Sequence, residues 1–198
     1  MFYKVLRFVL QIIFGILFRP QIIGRENVPM TGGMIMAANH LSNWDPPMVG
    51  TYMPRPVAYM AKEELFRPAI AGAVIRSLYA FPVKRGAADR GAIKTALGIL
   101  KNGLCLGVFP EGHRSKTGHM GKAESGVALL AAMSKVPVVP TAIINTNKIF
   151  KSGSIFPQIK IIFGEPVYFQ GKHNDKEALA GFASDIMVKV QDLLDKNT

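Results

Sequence analysis

Met34-Ile35-Met36-Ala37-Ala38-Asn39-His40-Leu41-Ser42-Asn43-Trp44-Asp45-Pro46-Pro47 is the stretch that decides the fold. Its apolar run, Met34 to Ala38, reads as a buried strand, and Asp45-Pro46-Pro47 reads as a helix start with Asp45 as cap and proline in the first turn. A strand that passes through a short polar loop into a helix is the repeating unit of an α/β domain. The loop carries chemistry as well. An imidazole has an ordinary pKa of roughly 6.5 and takes a proton from a hydroxyl when a carboxylate fixes its tautomer. His40 and Asp45 are spaced to face each other across the loop. The plainer alternative is that Asp45 only caps the helix and His40 lies on the surface.

Outward from this unit, short apolar runs alternate with helical stretches. Strands are expected at 21–24, 34–38, 57–60, 78–83, 104–109, 138–144 and 160–163, and helices at 46–52, 66–76, 89–102, 124–134 and 176–195. The pattern predicts a single α/β domain, residues 21–198, with a largely parallel or mixed sheet flanked by helices. In such folds the loops at strand ends carry the site. Asn39-His40 follows one strand, Lys84-Arg85-Gly86 another, and Pro110 to Ser115 a third. The last two have the composition of a phosphate site. Arg85 and Arg114 offer charged forks, Lys62 adds a point charge, and Gly86 and Gly112 let backbone approach an anion.

The tract Phe109-Pro110-Glu111-Gly112-His113-Arg114-Ser115, taken with Asn39-His40-x4-Asp45, resembles the glycerophospholipid acyltransferase family. Lys62-Glu63-Glu64-Leu65-Phe66 and Phe81-Pro82-Val83-Lys84-Arg85-Gly86 are similar to its second block, and Val136-Pro137-Val138-Val139-Pro140 to its fourth. His113 stands where the family commonly has threonine, which bears on loop packing more than on chemistry. The resemblance implies His40 and Asp45 as catalytic residues, and Lys62, Arg85, Glu111, Gly112, Arg114 and Ser115 as the substrate-binding set. It implies transfer of a fatty acyl group from acyl-coenzyme A or an acyl carrier protein to the free hydroxyl of 1-acyl-sn-glycerol 3-phosphate, giving phosphatidic acid, with no cofactor beyond that co-substrate. Another lysolipid or glycerol 3-phosphate as acceptor is the nearest alternative. The acceptor hydroxyl takes the place of a hydrolase serine, so the mechanism is direct. Glu111 is expected to orient Arg114 or bind a substrate hydroxyl, and N–H groups near Gly112 to serve as oxyanion donors.

Composition agrees. Among 198 residues, 24 Lys and Arg against 13 Asp and Glu give a net charge of +11, which favours anionic partners. A hydrophobic fraction of 49% and mean hydropathy of +0.21 direct that charge toward a membrane surface. No helix-turn-helix or RNP pattern accompanies it, so no nucleic acid is expected. Cys105, the single cysteine, lies in the apolar run Leu104 to Phe109. It reads as a buried structural thiol and points to a reducing compartment.

Residues 1–20 form a separate unit. Lys4, Arg7, Gln11, Gly15 and Arg19 make one stripe of a helix, and apolar residues from Phe2 to Phe18 cover the rest. This predicts a helix lying in a bilayer interface, with its basic residues on anionic headgroups and the protein membrane-associated from the cytoplasmic side. A helix packed on the protein's own core and a signal peptide are the other readings. Ala69 to Ile75 reads as an ordinary core helix, with the wall of an acyl channel as the alternative. Three competing functions lack supporting residues: a hydrolase has no Gly-x-Ser-x-Gly elbow, a metal site built on His40, His113, His119 and Glu111 matches no ligand spacing, and a non-catalytic basic membrane protein leaves His40 and Asp45 unexplained.

Overall fold

The computed structural model describes residues 2–83, 89–115, 120–151, 153 and 155–198. Seven strands, β1 (Gln21–Ile23), β2 (Met34–Ala38), β3 (Val57–Lys62), β4 (Phe81–Val83), β5 (Cys105–Val108), β6 (Val138–Ile144) and β7 (Lys160–Phe163), form one sheet in the order β1-β7-β6-β2-β5-β3-β4. All neighbours pair in parallel except β6 and β7. The helices are α1 (Phe2–Phe18), α2 (Asp45–Tyr52), α3 (Ala69–Ser77), α4 (Arg90–Lys101), α5 (Gly126–Ser134) and α6 (Lys176–Asp195). The mixed α/β sheet expected from the alternation is therefore present.

β2 is the centre of this sheet, and all five of its residues are fully buried. Its period-2 alternation feeds two cores. Met34, Met36 and Ala38 pack with Val57, Tyr59, Cys105 and Val139 under α1 and α2, while Ile35 and Ala37 pack with Ala58, Leu106 and Val138 under α4, α5 and α6. The chain leaves β2 toward β3 on one side, whereas β5 connects across β2 to β6 on the other. The carboxyl ends of β2, β5 and β3 thus frame the crevice that such sheets open where their winding reverses.

Three expectations change. The strand at 78–83 shortens to Phe81–Val83, because Leu78 and Tyr79 close α3, with the Leu78 N–H donating to Val74 O and Tyr79 at φ 63°. The helix at 66–76 starts at Ala69, with a 3₁₀ turn over Glu63–Phe66 before it and Pro68 as its N-cap, whose extended backbone (φ −68°, ψ 122°) separates the two. That helix is no core helix either, since Ile70 is 83% exposed and among its residues only Gly72 is buried.

α1 keeps much of its apolar face outward, as expected, but turns part of its polar stripe, Arg7 and Gln11, onto the protein's own body. The Arg7 guanidinium donates to Thr51 O (3.0 Å) and to Met53 O, and the Gln11 amide donates to Thr51 O (3.1 Å). A cation and an amide thus satisfy the last carbonyls of α2, where the helix dipole favours positive charge. Arg7 therefore does not face headgroups, as the sequence suggested. Phe14 and Phe18 are buried in the core, while Val5, Phe8, Ile12, Ile13 and Ile16 face outward, Ile16 at 73% exposure. Among the described residues no helix is long and apolar enough to cross a membrane.

Candidate active site

The β2–α2 loop is built around one carboxylate. Asp45 is fully buried; its Oδ2 accepts from Leu41 N–H (2.7 Å) and Ser42 N–H (2.8 Å) and lies 2.8 Å from His40 Nδ1. Its Oδ1 accepts from the Thr146 hydroxyl at 2.5 Å. Because the carboxylate is an acceptor, the ring proton sits on Nδ1, and Nε2 keeps its lone pair. Asp45 is therefore not the cap of α2, as its position suggested. It is the first residue of the helix, with Trp44 in the cap position, and its side chain turns back into the loop.

His40 is held at every handle by the second motif. Its N–H donates to Glu111 Oε1 (2.9 Å), its carbonyl accepts from Ser115 N–H (2.8 Å), and its ring stacks on Phe109 with centroids 4.0 Å apart and planes 17° apart. Asn39, just before it, acts as a side-chain rung of the sheet: Nδ2 donates to Ile143 O (2.9 Å) and Oδ1 accepts from Ile143 N–H (2.8 Å). The loop that sets the imidazole is thus tied to β5 on one side and β6 on the other.

Glu111 is 99% buried, and its two oxygens accept from His40 N–H and Gly121 N–H. It ties two loops together through these two bonds. Gly112 stands at φ 69°, a conformation glycine enters without penalty, and its N–H donates to Phe109 O (3.0 Å). That N–H closes the turn onto Phe109, which leaves the neighbouring N–H groups as the oxyanion donors the sequence would offer.

A cavity of about 570 Å³ opens beside the pair. His40, Arg114 and Lys62 share its wall with Phe109, Tyr59 and Ile75. Ser115 enters the site through its backbone. Arg85, with Gly86, lies outside the described residues, as does His119. Among the described residues no group of His, Cys, Asp and Glu is placed to hold a metal.

Several contributors were not visible in the sequence. Thr146 is 101 positions from the carboxylate it bonds, and no local pattern marks it. Tyr59 stacks behind Phe109, with centroids 6.1 Å apart and planes 12° apart. Gly107 makes this possible: a Cβ there would lie 2.3 Å from the Tyr59 ring. An isolated glycine in an apolar strand was the available signal for such a close approach. Burial raises the Tyr59 hydroxyl well above its ordinary pKa and pushes the Cys105 thiol up to about 12, as befits a structural cysteine.

The Acyltransferase family model matches residues 19–144. A relative from Bacillus subtilis (strain 168), the 1-acyl-sn-glycerol-3-phosphate acyltransferase, is 31% identical over 201 residues, spanning 98% of each chain. The enzyme of the same name from Streptococcus pneumoniae is 34% identical over 80% of this chain and 60% of its own. The crystal structure of the 1-acyl-sn-glycerophosphate (LPA) acyltransferase PlsC from Thermotoga maritima superposes with a TM-score of 0.77 at 28% identity, covering 96% of this chain and 79% of that one. A match over β1 to β6, from the end of α1 to the last residue of β6, with both motifs inside it, places the chain in the acyltransferase family.

Proposed function

We propose that this acyltransferase moves a fatty acyl group from a thioester donor, acyl-coenzyme A or an acyl carrier protein, to the free hydroxyl of 1-acyl-sn-glycerol 3-phosphate, giving phosphatidic acid. The observation that carries the reading is the His40–Asp45 pair, 2.8 Å apart, on the wall of a cavity that also presents Arg114 and Lys62. The acceptor hydroxyl donates its proton to His40 Nε2 as its oxygen attacks the thioester carbonyl. Asp45 holds the ring and stabilises the imidazolium, and a general base so positioned commonly supplies roughly 10² to 10⁴ of rate. The tetrahedral intermediate collapses, the carbon–sulfur bond breaks, and the sulfur takes the proton back from Nε2. No serine intervenes, because the acceptor oxygen is the nucleophile. Arg114, with Arg85 and Lys62, meets the phosphate of the acceptor, since guanidinium forks match phosphate oxygens. Apolar walls from Leu65, Ile75 and Leu78 suit an acyl chain.

The outward face of α1 supports action at a bilayer surface. Ile12, Ile13 and Ile16 are exposed on it, with Lys4 and Arg19 exposed toward the two ends. Removing the helix is a poor test, because Phe14 and Phe18 belong to the core. Ile12→Ser with Ile16→Ser leaves the inward face intact and is expected to release the protein from anionic vesicles.

Thiol release from palmitoyl-coenzyme A or palmitoyl acyl carrier protein, followed with and without 1-acyl-sn-glycerol 3-phosphate, tests the reaction. Release that depends on the acceptor is expected, with phosphatidic acid formed in equal amount. Release at the same rate without acceptor means a thioesterase and overturns the reading.

A further inference from the structure

The chain between β6 and β7 is a loop with a fixed base and a greasy tip. At the base, the Asn145 side chain donates to Gln158 O (2.9 Å), the Ile159 N–H donates to Phe18 O (3.2 Å), and Ile149 and Ile159 are buried in the core. At the tip, Phe150, Ile155 and Phe156 are 56%, 58% and 53% exposed. Phe150 stands at φ 55°, a left-handed conformation that a bulky aromatic rarely adopts, and its N–H donates to Ile155 O (3.2 Å). Strain of this kind persists where the surrounding structure enforces it and clusters at functional elements. Here it holds an aromatic ring out at the surface.

The tip adjoins the end of α1. Phe18 meets the rings of Phe150 and Phe156 at centroid distances of 6.2 and 6.1 Å, and Trp44 meets Phe150 at 5.6 Å. Lys148 and Lys151 are exposed beside the apolar side chains, Arg19 is exposed at the foot of α1, and no acidic residue occurs from Asn145 to Gln158. Aromatic and aliphatic side chains flanked only by cations match the boundary between acyl chains and anionic headgroups.

We propose that Phe150, Ile155 and Phe156 form a second bilayer-inserting element, beside α1, that takes anionic lipid. The proposal rests on the bilayer reading of α1 given above and extends it to a segment more than 130 residues further along the chain. Its other end reaches the site: Thr146, at the root of the same loop, bonds Asp45, and Trp44 lies within the His40–Asp45 loop. Lipid contact and carboxylate placement therefore share one short, braced segment.

The test uses the buried state of Cys105, the single cysteine, which leaves an introduced cysteine as the accessible thiol. Three variants, Ile155→Cys, Ile16→Cys and Lys189→Cys, are labelled with an environment-sensitive fluorophore and mixed with vesicles of phosphatidylcholine and phosphatidylglycerol. Labels at 155 and 16 are expected to shift to the blue, while the label on the exposed side of α6 stays aqueous. A label at 155 that stays aqueous while the one at 16 shifts overturns the second element and keeps the first. Labels at both positions staying aqueous overturn the bilayer reading as a whole. In unlabelled protein, Ile155→Glu is expected to weaken vesicle binding about tenfold, the scale set by one large apolar side chain lost from the interface; binding unchanged within twofold counts against the proposal.

Discussion

Two polar clusters border the same cavity and are built on opposite principles. Around Asp45 every buried polar atom has a partner: the carboxylate takes Leu41, Ser42, His40 and Thr146, and Glu111 takes His40 and Gly121. On the β3 side, Tyr59 buries a hydroxyl oxygen that has no hydrogen-bond partner among the described residues, with Tyr3 and Cys105 nearby. Burial raises the pKa of all three; for Tyr3 the Arg7 guanidinium opposes the shift without outweighing it. A saturated cluster fixes the orientation of a base, whereas an unsaturated one fixes only shape. Substitutions of the same kind in the two clusters should therefore have effects of different size and sign.

The largest effect is expected at the base. His40→Ala should lower turnover by at least the roughly 10² to 10⁴ attributed to a positioned general base. The fold should persist, because Asp45 retains its donors from Leu41, Ser42 and Thr146. Asp45→Asn should lose comparable turnover and also stability, since its amide turns an N–H toward backbone donors. Circular dichroism with single-turnover kinetics separates these outcomes. Near-normal turnover in folded His40→Ala breaks the mechanism.

Next in size is Arg114, an exposed cation on the wall that His40 shares. Arg114→Ala should raise the apparent KM for the phosphorylated acceptor by the equivalent of about 1.5–3 kcal/mol, the worth of a hydrogen bond to a charged group. The KM for the thioester donor should move far less. Equal changes for both substrates would place Arg114 away from the phosphate.

The sharpest form of the comparison removes one hydroxyl from each cluster. Thr146→Val strips a donor from a buried carboxylate and should cost about 1.5–3 kcal/mol of stability. Tyr59→Phe strips a hydroxyl that has no partner and should be neutral or stabilising by about 1 kcal/mol. In the proposed mechanism Thr146 is a positioning residue, so its loss should lower kcat with KM little changed and distort the acid limb of the pH–rate profile, and Thr146→Ser should restore both. Denaturant midpoints for the pair give the sign directly. Destabilisation by Tyr59→Phe as large as that by Thr146→Val would mean the hydroxyl has a partner, and the contrast would fail.

Legibility in the sequence followed the same division. The Asn39–Asp45 loop was readable because its residues lie together, and β2, β6 and β7 were placed to the residue because β-branched and apolar runs ended at polar or glycine punctuation. Pro68 marks the start of α3 in the sequence, while the run from Leu78 to Val83 conceals a helix end because apolarity alone does not separate helix from strand. The polar stripe of α1 is legible, but a stripe does not say whether water, lipid or the end of another helix will meet it, and α2 meets it at Arg7 and Gln11. Thr146 and the stack of Tyr59 on Phe109 depend on long-range pairing of strands and were beyond local reading.

The smallest effect concerns Cys105, at the buried edge of the unsaturated cluster. In the unfolded chain its thiol ionises near the ordinary value of 9.0, and in the folded protein burial pushes it up to about 12. Between those values the native state keeps a proton that the unfolded state has lost. Stability must then fall as pH rises through this window, by up to about 1.4 kcal/mol per pH unit for one group, and the thiol contributes no slope below it. Tyrosines and lysines titrate in the same range, so the contribution is isolated by difference. Cys105→Ala should be less stable than the parent at neutral pH, because it leaves a void in a fully buried site. The gap between the two urea midpoints should then narrow steadily once the pH passes about 9. Curves that stay parallel would show that the thiol is solvated in the native state. Rapid reaction of native Cys105 with a thiol reagent at neutral pH would show the same, and would remove it from the buried wall behind Tyr59.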